Sequence, residues 1–137
     1  MATNDSPVKQ GAGKSVLLVD DDKFLLDMYS MKFTGAGFTV QACLLVKEAL
    51  EALRGGFKAD AIVFDLVMPE SDGFSFLQAI ETEHLAPGAV KIALTNQSND
   101  EEKVKAESLG ANRYIIKASM IPSEVVATVG EEISKKR

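Results

Sequence analysis

A chain of 137 residues, 46% of them hydrophobic and 26% charged, has the size and composition of one folded domain rather than of a disordered segment. Its formal net charge of −5 lacks the basic footprint that nucleic acid demands, and apolar runs such as Ala61 to Phe64 fall far below the roughly 18 residues of a membrane span. With no basic and apolar leader at its start and a single cysteine, Cys43, it is expected to work in a reducing cytoplasm, with neither nucleic acid nor membrane as a partner.

Residues 1–13 mix Asn, Asp, Ser, Pro and Gly without hydrophobic periodicity and are expected to form a flexible tail, leaving 14–137 as the domain. Gly13-Lys14-Ser15 imitates the end of a phosphate-binding P-loop, but Val8 stands where that motif needs its first glycine, and the strand follows it instead of preceding it. Ser15 to Val19 reads as a strand, and a helix is expected from about Lys23 to Thr34. Leu25, Met28, Tyr29 and Phe33 form its apolar face, and Gly35 and Gly37 end it. Phe38 to Cys43 reads as a second strand. Val46, Ala49, Leu50 and Leu53 fall at helical spacing before the Gly55-Gly56 stop. Ala61 to Phe64 is a third strand, followed by a loop containing Pro69 and Gly73 and a helix that buries Leu77 and Ile80. A fourth strand, Val90 to Leu94, precedes a helix with Ser98 and Glu101 as its expected capping box, running to Leu109 and stopped by Gly110. After the fifth strand, Tyr114 to Ile116, Pro122 opens a last helix that buries Val125, Val126, Val129 and Ile133 and ends in Lys135, Lys136 and Arg137. Strands that alternate with helices and include nearly continuous aliphatic runs predict a doubly wound α/β fold, a parallel sheet covered on both faces.

In such a sheet all strands end on one edge, and ligands bind there. The first strand runs into Asp20, Asp21 and Asp22, the third into Asp65, the fourth into Thr95 and the fifth into Lys117. Taken singly, an Asp run is most often a solvated turn, a Thr a helix cap and a Lys a surface residue. Converging from four strands, they form a cluster whose carboxylates repel unless a cation neutralises them, and hard oxygen ligands suit Mg²⁺. Metal-assisted phosphoryl transfer to one carboxylate follows as the expected chemistry.

Val19-Asp20-Asp21, Asp65-Leu-Val-Met-Pro with Asp72-Gly73, Leu94-Thr95 and Tyr114-Ile-Ile-Lys117 resemble the receiver domains of two-component response regulators, over Ser15 to about Ser134. The resemblance implies a CheY-like, flavodoxin-like (βα)5 fold with five strands in the order 2-1-3-4-5. It implies Asp65 as phosphoryl acceptor, with Asp21, Asp65 and the Val67 carbonyl as direct Mg²⁺ ligands and Asp20 acting mainly through water. Lys117 would pair with the phosphoryl oxygens, Thr95 would donate its hydroxyl to them, and Tyr114 would be the switch aromatic behind that threonine. The implied donor is a histidine kinase or phosphotransfer protein. The output would pass from a free-standing domain to a downstream protein, from a monomer or a phosphorylation-dependent dimer, and the domain would catalyse its own phosphorylation and slow dephosphorylation.

Departures from the family pattern stand at Val67, where polar residues are frequent, at Asn96 in place of a small residue, and at Ala118 in place of the usual proline. The family's Lys-Pro bond is cis. With Ala118 the Lys117-Ala118 bond is expected to be trans, since cis before a non-proline costs about 2.5 to 4 kcal/mol, with Lys117 still aimed at Asp65. His84 reads as a surface helix residue and Cys43 as packing. Two other readings stay open: a pseudo-receiver that binds proteins without phosphate, and a small metal-dependent phosphatase, against which Val67 stands where a second acid is usual.

Overall fold

The computed structural model describes residues 11–68 and 72–136. Residues 1–10 of the expected tail, Pro69 of the expected loop and Arg137 lie outside them. The elements are β1 (Ser15–Val19), α1 (Lys23–Gly35), β2 (Thr39–Cys43), α2 (Val46–Arg54), β3 (Ala61–Asp65), α3 (Gly73–Thr82), β4 (Val90–Thr95), α4 (Asp100–Ser108), β5 (Arg113–Ile116), a 3₁₀ turn (Lys117–Ser119) and α5 (Pro122–Lys135). The five strands are all parallel, in the order β2-β1-β3-β4-β5. This is the doubly wound architecture expected from the alternation of aliphatic and amphipathic stretches, with the flavodoxin-like strand order that the receiver-domain resemblance implies.

Because side chains of a strand alternate between faces, the central strands feed two core layers. Leu17, Val19, Ile62 and Phe64 face α2, α3 and α4, where Ala49, Leu53, Phe76, Leu77 and Ile80 meet them. Val16, Leu18, Val63 and Ile92 face α1 and α5, against Leu26, Phe33, Val125 and Val129. Phe33, Phe64 and Phe76 are fully buried, each stabilising the fold by about 2 kcal/mol or more through burial.

Local details depart from the sequence reading in five places. Helix α1 is rotated from the expected face: it buries Leu26, Tyr29 and Phe33, while Leu25 and Met28 are only half-buried. Phe38 precedes β2, its ring packed edge-on against Phe33 at a centroid distance of 5.1 Å. The cap of α4 is Asn99, whose side chain accepts from the Glu102 N–H at 3.0 Å, so the expected Ser98 and Glu101 box is displaced by one residue. His84 lies outside α3, exposed and with φ 55° in the turn after the helix. Residues 11–13, counted with the tail from sequence, form a turn, and the Gly11 N–H donates to the Ala36 carbonyl at 2.8 Å.

Candidate active site

Strand register sets the positions of the functional side chains. Val19 pairs with Phe64, Asp65 with Leu94, and Thr95 with Ile116, so Asp20, Asp65, Thr95 and Lys117 stand at successive strand ends on the carboxyl edge. The Asp20 N–H still donates to the Cys43 carbonyl, which fixes the backbone where β1 gives way to the loop. Gly73 makes the other side possible. A Cβ there would lie 2.8 Å from the Asp65 carbonyl oxygen and 2.9 Å from the Leu66 Cα. Only glycine lets α3 start this close to the end of β3.

Asp20 and Asp65 are buried, 2% and 3% exposed, and Lys117 reaches between them. Its Nζ donates to Asp20 Oδ2 at 2.8 Å and to Asp65 Oδ2 at 3.2 Å. The Asp22 N–H donates to Asp20 Oδ1 at 2.9 Å and the Val67 N–H to Asp65 Oδ1 at 3.2 Å, so both carboxylates are held by backbone on their other oxygen. Carboxylate oxygens of Asp20, Asp21 and Asp65 lie within 4.8 Å of one another, with Asp21 the exposed member. Asp22, third in the acidic run, is outside that group and caps α1, accepting from the Leu25 N–H at 3.1 Å.

Three carboxylates face one ammonium, which leaves two negative charges uncompensated. Burial pushes the Asp65 carboxyl up to about 6, against the opposing charge of Lys117 and with the help of Asp20. Burial alone would lower Lys117, but its hydrogen bonds and ion pairs with Asp20 and Asp65 outweigh burial and raise it, so it stays an ammonium. Oxygen donors arranged around an excess of two negative charges fit a hard divalent ion.

The remaining expected residues stand around this cluster, Val67 bonded to it through its backbone N–H. Thr95 is buried and donates its hydroxyl to the Gln97 carbonyl at 3.2 Å, within its own loop. Tyr114 is half-buried against α4, its hydroxyl 3.4 Å from the Gln97 carbonyl, the Asn99 carbonyl and Glu102 Oε1. The Val67 side chain is 62% exposed and Asn96 is exposed, both beside the buried Asp65 and Thr95. Among the described residues no peptide bond is cis, so Lys117-Ala118 is trans as expected, and the 3₁₀ turn that follows carries the chain to α5. Cys43 is buried, and burial pushes its thiol up to about 11, in keeping with a packing role.

Sequence reasoning passed over three groups. Tyr29, read as core, is indeed buried; burial raises its hydroxyl, with smaller effects of Lys117, Asp20 and Asp65, whose fields reach it. Gln97 and Glu102, which meet the Thr95 and Tyr114 hydroxyls, left no signal because their contacts depend on loop shape and not on spacing.

A doubly wound sheet with acids and a lysine gathered at its carboxyl edge defines a class, and comparison with known proteins narrows it. Residues 16–129 match the response regulator receiver domain family, and the chain belongs to it. It is 31% identical over 122 residues to the regulatory protein VanRc of Enterococcus gallinarum, an alignment covering 89% of this chain and 51% of that protein. The chain thus spans about half the length of the curated relatives it matches. Among solved structures it is similar to a CheY-like receiver domain protein from Methanospirillum hungatei (TM-score 0.81, 26% identity, 90% of this chain and 95% of that one). It is likewise similar to the chemotaxis protein CheY4 of Vibrio cholerae (TM-score 0.81, 27% identity, 88% and 98%). No helix among the described residues is long and apolar enough to cross a membrane.

Proposed function

We propose that this receiver domain accepts a phosphoryl group on Asp65 from the phosphohistidine of a histidine kinase or phosphotransfer protein and signals the change to another protein by contact. The observation that carries this reading is Lys117 held between Asp20 and Asp65 at 2.8 and 3.2 Å, with Asp21 completing an acid cluster that needs a cation. In the reaction an Asp65 carboxylate oxygen forms a bond to phosphorus as the bond from phosphorus to the donor imidazole nitrogen breaks. Lys117 stays protonated and meets the phosphoryl oxygens, supplying positive charge where negative charge gathers. The Val67 N–H fixes the orientation of the Asp65 carboxylate through Oδ1.

Asp20, Asp21, Asp65 and the Val67 carbonyl would hold Mg²⁺, whose charge would offset that of the carboxylates and the incoming phosphoryl group. Thr95 would exchange its bond to the Gln97 carbonyl for one to a phosphoryl oxygen, drawing the β4–α4 loop toward Asp65. Tyr114, seated on that same loop, would follow it as the switch residue. A contact made in only one of two loop arrangements shifts their populations by its differential affinity. The proposed output is a separate downstream protein, as for a free-standing domain, and the proposed setting is the cytoplasm.

Incubation with acetyl phosphate and Mg²⁺ followed by intact mass tests the reading. One phosphoryl group is expected on the parent and none on Asp65→Asn; equal labelling of the two would overturn it. A parent that never labels would instead favour a phosphate-independent binding module.

A further inference from the structure

The Tyr114 hydroxyl carries one proton and lies 3.4 Å from three oxygens: the Gln97 carbonyl, the Asn99 carbonyl and Glu102 Oε1. Only the last belongs to a carboxylate, and hydrogen bonds to ionised acceptors are roughly twice as strong as neutral ones. The Gln97 carbonyl is also the acceptor of the Thr95 hydroxyl, at 3.2 Å. Two hydroxyls from adjacent strands therefore converge on one loop carbonyl, and Glu102, from the first turn of α4, competes for one of them.

We propose that Glu102 is a positioning residue for the switch, its carboxylate competing with the equidistant Gln97 carbonyl for the one proton of the Tyr114 hydroxyl, so that Thr95 remains the principal donor to that carbonyl. When Thr95 turns toward a phosphoryl oxygen, the Gln97 carbonyl loses a donor, and the Tyr114 hydroxyl is close enough to replace it, at the cost of leaving Glu102. The carboxylate thus sets how far the resting domain is biased toward the unphosphorylated arrangement. This rests on the reading of Asp65 and Thr95 given above, but its contacts concern the resting protein. Glu102 is half-buried on the surface of α4, and its backbone N–H bond to Asn99 survives any side-chain change.

The protein has two tyrosines and no tryptophan, so ring-labelled tyrosine NMR reports on Tyr114 directly, the second resonance belonging to Tyr29, buried in the core. The parent is compared free and with Mg²⁺ and beryllofluoride, a phosphoryl mimic. In free Glu102→Ala and Glu102→Gln proteins the Tyr114 resonance is expected to move toward its beryllofluoride position. Loss of one surface hydrogen bond corresponds to a population shift of roughly three- to tenfold, greater for Ala than for Gln. Thermal midpoints should stay near the parent's, and Glu101→Ala, exposed on the same turn, should leave Tyr114 in place. Superimposed Tyr114 resonances for Glu102→Ala and parent would overturn the proposal, as would an equal movement in Glu101→Ala. Labelling of Asp65 by acetyl phosphate is scored separately, so a failure of the functional reading is told apart from a failure of this one.

Discussion

Strand β3 carries an aspartate beyond its start and another at its end, and their surroundings are opposite. Asp60, at the amino edge, accepts the Ser15 N–H at 2.8 Å, while its own N–H donates to the Ser15 carbonyl and its carbonyl accepts from the Val90 N–H. Neutral backbone groups thus tie it to the starts of β1 and β4. Asp65, five residues later, meets a second carboxylate and an ammonium in a buried setting, and its proton is held up to about 6. Beside Asp60 lies a cavity of about 490 Å³ lined by Leu53, Phe57, Lys58, His84, Leu85 and Pro87 among others. The same side chain is a staple where backbone satisfies it and a strongly perturbed acid where burial and neighbouring charges act on it.

The comparison breaks most sharply at Asp65, the proposed nucleophile. Asp65→Asn should reduce acetyl phosphate labelling to background, whereas Asp60→Asn should leave it intact; intact mass scores both. Next in size, Lys117→Ala should slow labelling on the order of 100-fold, the usual effect of removing one preorganised positive donor. A rate within threefold of the parent's would rule out that role for the lysine.

The pH dependence sharpens the contrast. A carboxyl whose folded value is about 6 against an ordinary 3.8 is favoured by the fold in its protonated form. Its contribution to stability is therefore complete below about 3.8 and is lost as pH rises through about 6. Labelling should have the opposite profile, falling as pH drops, because the proposed nucleophile is the ionised form; bound Mg²⁺ favours that form, so the fall should lie below the metal-free value of about 6. In metal-free protein at pH 7, Asp65→Asn should raise stability by about 1 to 2 kcal/mol, after discounting the full shift for solvent screening. Asp60→Ala should lower it by about 1 to 2 kcal/mol by leaving the Ser15 N–H without its acceptor. Urea unfolding of the two variants checks both signs. The smallest effect concerns the exposed rim: Val67→Asn and Asn96→Ala should each speed loss of the phosphoryl group by a factor of up to about ten, through easier entry of water. Unchanged or slower decay in both would remove the steric argument.

What the sequence made legible follows from the same physics. Four strand ends carrying acids, a hydroxyl and an amine could be brought together on paper, because parallel topology forces strand ends onto one edge. Lys117 aimed at Asp65 is what the receiver-domain resemblance implies, and the structure adds its contact with Asp20. The rotation of α1 was not legible: Leu25, Leu26, Met28 and Tyr29 fit two overlapping apolar stripes, and packing on the sheet selected Leu26. Ser98 and Asn99 are both good caps, and the path of the β4–α4 loop decided for Asn99. That path also determines which oxygens the Thr95 and Tyr114 hydroxyls find, so this part of the site could not be read from spacing.

The position of Lys117 in the chain bears on how the domain is assembled. It follows Asp20 by 97 residues and Asp65 by 52, so a chain emerging from the ribosome presents both acids long before their cation. Until β5 docks, β4 is an open sheet edge and the two carboxylates have no ammonium between them. The last strand completes the sheet and brings the pocket its ammonium in one step, which couples completion of the fold to completion of the lysine–aspartate contacts. A truncation before β5 should therefore leave a partly formed sheet whose acids remain solvated, a species that a protease can distinguish from the finished domain.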